Sequence, residues 1–194
     1  MEPTIYKPSI YKGAGIYKAE AEGGGGGGGN VVNVDGIEYE FVRIGKYYFT
    51  TENLKNIFSE LTLNGPSSQP SYRWFRNNQE SSLQNKYNIA YSVPCIDYIN
   101  NHLPNGWRCA NATEWDYIGQ NFGSVNKLES WENNELGLSL VRNGNGDNSG
   151  NWFNTGIVAN MLSKIRLCNF VTGSYQSSDS IIDRFAAIRL VKDV

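Results

Sequence analysis

The spacing of apolar and polar residues predicts strands at the beginning of the folded part of the chain. Residues 38–44 alternate polar and apolar side chains, as in a strand with one buried face. The Asp-Gly pair at 35–36 predicts a tight hairpin turn between this strand and residues 31–34. A second turn at 45–46 predicts that residues 47–50 pair back onto the same strand.

A capped helix is predicted over residues 111–118. Asn111 or Thr113 can cap its first turn, and Glu114 suits the positive N-terminal end of a helix. Trp115 and an isoleucine three residues later supply the face that we expect to be buried.

The remainder of the domain is predicted to alternate short elements with loops. A short strand is expected at 72–75, a short helix or turn at 95–99 and a closing strand at 185–191. Glycine, proline, serine and asparagine predict loops at 64–70 and 143–151. Strands, then helices, then short strands with long loops make the predicted fold class α+β.

The first eighteen residues contain three copies of the tripeptide Ile-Tyr-Lys. The segment has no helical periodicity, is too short to fold alone and is too aromatic for a solvated tail. We therefore interpret residues 1–22 as an extended anchor peptide that binds a larger assembly, by strand addition or in a groove. The nine repeated residues of the anchor peptide are Ile5, Tyr6, Lys7, Ile10, Tyr11, Lys12, Ile16, Tyr17 and Lys18.

A run of seven glycines follows at 23–29. Glycine has the greatest backbone freedom, which predicts a flexible polyglycine linker over residues 23–30. Such a run can also form extended left-handed chains bundled side by side. In both cases a boundary falls here, and residues 31–194 are long enough to form one domain with its own core.

Composition excludes several classes of partner. The chain of 194 residues has a net charge of −2 with acidic and basic residues interspersed, which gives no basic surface for nucleic acid or an anionic membrane. No apolar run approaches the roughly 20 residues of a membrane span, and we expect no secretion signal. Abundant asparagine, glycine, serine and aromatic residues are typical of a loop-rich binding domain of extracellular type rather than of a cytosolic enzyme.

The three cysteines, Cys95, Cys109 and Cys168, form no Cys-x-x-Cys pair, and His102 is the only histidine. These are too few ligands for a zinc site, so no metal and no cofactor is predicted. We expect the cysteines to be small buried apolar residues. A Cys95–Cys109 disulfide is possible in principle, but synthesis in the cytoplasm argues against dependence on it.

Five sequence blocks, in the same order, resemble those of the Fibrobacter succinogenes major paralogous domain. The blocks are Val-Asp-Gly (34–36) with Val-Arg-Ile-Gly (42–45) and Thr-Glu-Asn-Leu-Lys (51–55); Trp-Phe-Arg-Asn-Asn (74–78) with Lys-Tyr-Asn-Ile-Ala-Tyr (86–91); Leu-Pro-Asn-Gly-Trp-Arg (103–108) with Thr-Glu-Trp (113–115); Gly-Ser-Tyr-Gln-Ser-Ser (173–178); and Ile-Arg-Leu-Val-Lys-Asp (188–193). Two departures are Leu103, where the family has a cysteine, and Val-Thr-Gly at 171–173, where it has an aromatic pair.

This resemblance implies a C-type-lectin-like domain with small antiparallel sheets, short helices and long loops, here preceded by the extended arm. Formylglycine-generating enzymes share that fold, but the close cysteine pair that binds their copper ion is not apparent, so we expect no enzymatic activity. The tripeptides of calcium-dependent sugar-binding members are only echoed, at 69–71 and 131–133. Asp147, Asp179 and Asp183 are the only late carboxylates nearby, and no calcium site is predicted.

The anchor peptide resembles segments of structural proteins from tailed phages that infect Bacteroides-type gut bacteria, including the crAss-like group. That likeness implies a virion protein, made in the host cytoplasm, whose arm holds the capsid or another virion protein while the domain projects outward.

The leading functional hypothesis is a head fibre or capsid decoration protein that displays its domain for binding to host glycans or another host surface receptor. Stacking and hydrogen bonding to sugars favour seven candidate ligand-binding residues, although ordinary loop and core chemistry is the alternative for each. These candidates are Asn145, Asp147, Asn151, Trp152, Asn154, Asn169 and Tyr175. The alternative functions are a purely structural interaction module within the virion, as a homo-oligomer with a trimer favoured, and a bacterial surface adhesin.

Overall fold

The computed structural model describes residues 30–74, 89–122, 136–140, 143–153, 159–171, 174–178 and 183–194. The anchor peptide, the polyglycine linker up to residue 29 and the candidate Asn154 lie outside these residues. No helix within the described ranges is long and apolar enough to cross a membrane.

The described residues form an α+β domain made mostly of antiparallel strands, as the sequence predicts. The strands are β1 (Val31–Val34), β2 (Ile37–Ile44), β3 (Tyr47–Thr50), β4 (Thr62–Leu63), β5 (Ser71–Trp74), β6 (Ile89–Ser92), β7 (Trp107–Cys109), β8 (Asn145–Asp147), β9 (Trp152–Phe153), β10 (Ala159–Leu162), β11 (Leu167–Val171), β12 (Ser174–Ser178), β13 (Arg184–Ala186) and β14 (Leu190–Asp193). The helices are α1 (Cys95–Asn100) and α2 (Ala112–Phe122).

Three sheets contain these strands. The five-stranded sheet has the order β1-β2-β3-β14-β7, the six-stranded sheet β4-β5-β6-β13-β8-β9 and the three-stranded sheet β10-β11-β12. Every pairing is antiparallel except that of β4 with β5. Most pairings join strands that follow each other in the chain, whereas β13 and β14 pair with strands that are distant in sequence, so these two strands connect the separate parts of the chain.

The opening strands confirm the sequence prediction. Val34 pairs with Ile37 across the turn, and Asp35 and Gly36 have φ values of 49° and 84°. Positive φ at both central positions is the conformation that a two-residue hairpin requires, and Asp-Gly adopts it readily. The second turn likewise leads β2 back into β3.

The predicted helix cap is also confirmed. Asn111 Oδ1 accepts a hydrogen bond of 2.8 Å from the backbone N–H of Thr113, and Glu114 Oε2 accepts one of 2.8 Å from that of Asn111. Together these bonds form a capping box that satisfies two backbone donors at the start of α2. Trp115 is fully buried and its ring lies 5.6 Å from that of Phe49.

The predicted closing strand at 185–191 is wrong in one respect, because the segment contains two strands in different sheets. β13 pairs with β6 and β8, whereas β14 pairs with β3 and β7. Between them Ala187 forms a parallel bridge with Met161 of the three-stranded sheet. The segment stays buried as it crosses from sheet to sheet, so its apolar pattern gives no sign of the break.

Arg189 lies at this crossing and is 1% exposed. Its guanidinium donates to Asn53 Oδ1 at 2.6 Å and to the backbone carbonyls of Thr50, Leu138 and Ser139 at 2.7, 2.5 and 3.1 Å. Burial lowers the pKa of Arg189 to about 9, so the guanidinium is charged at neutral pH. Arg189 therefore joins three segments that are distant in sequence.

The three cysteines are buried and form no disulfide, which confirms their prediction as small core residues. The Cys95–Cys109 disulfide is accordingly absent from the structure. Burial raises the pKa of all three thiols, to about 11 for Cys168.

Candidate functional site

Four of the seven candidate residues come together in the hairpin formed by β8 and β9. The predicted loop at 143–151 is therefore wrong in part, because β8 occupies residues 145–147 of it. Asp147 begins the turn: its Oδ1 accepts 2.9 Å hydrogen bonds from the backbone N–H groups of Ser149 and Asn151. Its Oδ2 accepts one of 3.0 Å from Asn151 Nδ2. These bonds, the side-chain amide of Asn151 foremost, lower the pKa of Asp147 and fix the shape of the turn.

A buried arginine supports the turn from beneath. Arg73 on β5 donates to the carbonyls of Asp147 at 2.5 Å and Asn148 at 2.9 Å, and to that of Gly65 at 3.3 Å. Its guanidinium lies 4.3 Å from the centre of the Phe185 ring, within the range of a cation–π contact. Desolvation lowers the pKa of Arg73. The turn is thus bonded to the neighbouring loop at 64–70.

The side chain of Asn148 makes a second connection between loops. Its Oδ1 accepts a 2.7 Å hydrogen bond from the backbone N–H of Ser67, and its Nδ2 donates one of 3.0 Å to Asp183 Oδ1. Ser67 is 81 residues before Asn148 in the chain and Asp183 is 35 residues after it, so the amide of Asn148 connects three distant segments. A loop held from both sides presents its groups in a fixed geometry, which reduces the entropy lost when a ligand binds.

An aromatic side chain extends from the end of this hairpin. Phe153 is 40% exposed, and the guanidinium of Arg184 lies 5.0 Å from its ring centre. Trp152 is half-buried and its ring lies against Gly146, where a Cβ atom would come within 2.9 Å of Cζ3. Phe153 therefore offers a ligand more exposed aromatic surface than Trp152 does.

We call the outer surface of this region the hairpin face and define it by the exposed or half-buried residues Asp147, Asn148, Asn151, Phe153 and Arg184. It combines an aromatic ring, a guanidinium, two amides and a carboxylate. A ring can stack on the C–H face of a sugar, while amides, guanidinium and carboxylate can donate to or accept from its hydroxyl groups.

Three candidates lie outside the hairpin face: Asn145, which is on β8, and Asn169 and Tyr175, which belong to other strands. Asn145 is buried in a group of amides, in which Asn160 Nδ2 lies 3.4 Å from Asn145 Oδ1. Asn169 is half-buried in the middle strand of the three-stranded sheet. The hydroxyl group of Tyr175 donates a 2.6 Å hydrogen bond to Asp116, and burial is the main reason that the pKa of Tyr175 is raised. The side chains of Asn145 and Tyr175 are therefore engaged within the domain.

Sequence reasoning did not select Asn148, Phe153 or Arg184. Asn148 lies inside the predicted loop and Phe153 follows a selected tryptophan, so local composition could have included both. Nothing in the local composition around Arg184 indicates a ligand-binding residue. Arg184 reaches the hairpin only because β13 pairs with β8, which places it opposite Asp147.

Within the described ranges no three His, Cys, Asp or Glu side chains are grouped so that they could hold a metal ion. Comparison of the chain with protein-family models, curated proteins and solved structures finds no match.

Proposed function

We propose that this protein is a structural component of a tailed-phage virion, a head fibre or capsid decoration protein without enzymatic activity. Its anchor peptide attaches it to the capsid or another virion protein, and its domain binds host-surface glycans. The observation that carries the proposal is the order of parts: a repeated apolar peptide, a polyglycine linker and a domain with its own core. A trimer is the favoured assembly, since oligomers of one chain are usually symmetric and virion fibres are often trimeric.

A C-type-lectin-like fold related to the Fibrobacter succinogenes major paralogous domain is part of this proposal. The order of the five sequence blocks supports it, as does the arrangement of small antiparallel sheets with two short helices in the described residues. Trp107 is a further support. It follows the tight turn at Gly106 and lies 5.2 Å from the ring of Phe41, as an aromatic residue fixed against a sheet.

Deletion of residues 1–22 tests the attachment. We expect the shortened chain to fold, judged by an unchanged circular dichroism spectrum and melting temperature, and to be missing from purified particles. A sharper comparison replaces the three tyrosines of the repeats with alanine in one variant and the three lysines with glutamine in another. If apolar side chains attach the anchor peptide, the tyrosine variant should be missing from purified particles, whereas the lysine variant should be incorporated at close to the normal amount. Particles that carry normal amounts of the deleted chain refute the attachment.

Substitution of Phe153 by alanine tests glycan binding at the hairpin face. Loss of one stacked ring is expected to weaken binding on a glycan array at least about five-fold, because such contacts are worth roughly 1 kcal/mol or more. Ile165→Ala, which removes an exposed apolar side chain elsewhere, is the matched control and should bind as the wild type does. Equal binding by Phe153→Ala and wild type removes the hairpin face as the site.

A purely structural interaction module is the second candidate, and one observation favours it. Asp147 accepts three hydrogen bonds and Asn151 Nδ2 donates one within the hairpin, so only part of their bonding capacity remains for a ligand. If the hairpin face packs against sister subunits, Phe153→Ala should reduce the mass of the oligomer measured by light scattering. Retention of the oligomer with loss of array binding supports glycan recognition instead.

A further inference from the structure

A small pocket lies away from the hairpin face and shares no residue with it. Its volume is about 280 Å³. The lining residues are Asp35, Phe58, Ser59, Glu60, Tyr98 and His102. They come from the β1–β2 turn, the segment after β3, and α1 with the residue pair that follows it.

Three aromatic rings form one wall of the pocket. Tyr98 and His102 lie one helical turn apart and their rings are stacked, with centroids 4.2 Å apart and planes at 24°. His102 Nδ1 is 2.8 Å from the carbonyl oxygen of Tyr98, which fixes the orientation of the imidazole. Phe58 meets Tyr98 edge-on at 5.7 Å and lies 5.8 Å from His102.

The segment that carries Phe58 is held firmly. Asn56 is buried; its Nδ2 donates 2.7 Å to the carbonyl of Val34, and its Oδ1 accepts 2.6 Å from the hydroxyl group of Tyr39. The hydroxyl group of Tyr91 donates 2.9 Å to the carbonyl of Asn56. The pocket therefore has a preformed wall, which reduces the conformational entropy lost on binding.

Two carboxylates give the pocket its charge. Glu60 Oε2 accepts hydrogen bonds from the hydroxyl groups of Tyr98 and Ser59, the latter at 2.8 Å. These bonds, that of Tyr98 foremost, lower the pKa of Glu60 and keep it ionised at neutral pH. Asp35 supplies the second carboxylate, and no lysine or arginine is among the residues that line the pocket.

We propose that this pocket binds a ligand with a primary alkylammonium group. An ammonium ion is attracted both by carboxylates and by the faces of aromatic rings, and here the two kinds of group are adjacent. The volume is below the range of roughly 300–1,000 Å³ that is usual for whole small molecules, and it suits a side-chain-sized head group. The inference does not rest on the proposed virion function.

The single histidine makes the test direct, because His102 gives the only imidazole signals in the proton NMR spectrum of the full chain. The matched probes are n-butylammonium and n-butanol, which have the same alkyl stem and differ in charge. We expect butylammonium to shift the His102 signals saturably and to bind at least about ten-fold more tightly than butanol. Equal affinities, or no saturable shift with butylammonium, overturn the proposal.

Two natural sources of the group are separated by further probes. Glucosamine against N-acetylglucosamine tests an amino sugar, and Nα-acetyl-lysine amide against its Nε-acetylated form tests a lysine side chain. In each pair the proposal expects the charged member to bind more tightly. The pair with the larger difference identifies the source, and preference for the neutral members in both pairs contradicts the assignment.

Charge variants connect the binding to the pocket. Glu60→Gln and Asp35→Asn are each expected to weaken butylammonium binding about three- to ten-fold. Asparagine tolerates the positive φ of Asp35, so the second variant removes charge while keeping the turn. Glu40→Gln, on an exposed residue outside the pocket, is the control and should bind normally. Unchanged affinity in both pocket variants rules the pocket out as the binding site.

Discussion

The ring of Tyr175 occupies the space beside Gly119 in α2, where a larger side chain at this position would lie. An alanine Cβ at this position would lie 2.3 Å from Cγ and 2.4 Å from Cδ1 of Tyr175. These atoms are at the base of the tyrosine side chain, so a simple rotation of its far end cannot make room. We expect Gly119→Ala to destabilise the domain, although alanine is the better helix former.

The magnitude follows from three terms. Replacing glycine by alanine inside a helix gains about 1 kcal/mol. Overpacking costs about 1–3 kcal/mol. Restoring an ordinary carbon–carbon separation moves the ring by about 1.2–1.7 Å. Such a shift breaks the 2.6 Å hydrogen bond from Tyr175 to Asp116, and losing a bond to a charged acceptor costs about 1.5–3 kcal/mol. These terms leave a net loss of unfolding free energy of about 1.5–5 kcal/mol, with a central value of roughly 3 kcal/mol.

Urea unfolding of the full chain, followed by tryptophan fluorescence, measures this change. Gln120→Ala, at the neighbouring exposed position of α2, is the control and should lie within about 0.5 kcal/mol of the wild type. In the double variant with Tyr175→Ala the alanine at 119 should cost much less, because the ring is gone and only the Cβ atom of residue 175, 2.9 Å away, remains close. Stabilisation by Gly119→Ala of about 1 kcal/mol, the value from helix propensity alone, would refute the packing.

Three other predictions follow from buried or bonded groups. Arg189→Leu should lower the unfolding free energy by about 3 kcal/mol or more, since four acceptors lose a charged donor; a loss below about 1 kcal/mol in urea contradicts this. The three buried thiols should resist iodoacetamide at pH 8 and react fully in denaturant, and rapid labelling of the folded chain contradicts their burial. Tyr98→Phe should raise the pKa of Glu60, measured by carbon-13 NMR. The lowered folded-state pKa of Glu60 means that its contribution to stability is present above the pKa of an unfolded glutamate. That contribution is lost as pH falls through the folded-state pKa. The Tyr98→Phe variant should therefore lose less unfolding free energy than the wild type on acidification.

Local rules were sufficient for the elements that a few neighbouring residues control. The Asp-Gly turn at 35–36 and the capping box at Asn111 and Glu114 depend on backbone preferences and on bonds within three residues, so they can be read from the chain. The segment at 185–191 was predicted as one strand although it contains parts of two. Its residues are buried throughout, and burial on both sides removes the alternation of polar and apolar residues that marks a half-exposed strand.

The candidate ligand residues show the same limit. Composition drew attention to the segment around Asp147, but it could not distinguish Asn145, which is buried among amides, from Asn148, which is exposed. Asn145 lies on β8, which pairs with β13, whereas Asn148 lies in the turn that follows β8. No pattern within the segment contains that information.

The sequence by itself determined the order of parts in this protein: three Ile-Tyr-Lys repeats, a run of seven glycines and an α+β domain with a hairpin and a capped helix. Each of these follows from composition or from preferences that operate over a few residues. Only the tertiary structure decided that Arg189 joins three segments, that Tyr175 lies on Gly119, and that Glu60 shares a pocket with Tyr98 and His102. The physical reason is that antiparallel pairing between distant strands sets which side chains meet, and the free energy of those contacts is available only after the chain has closed long loops.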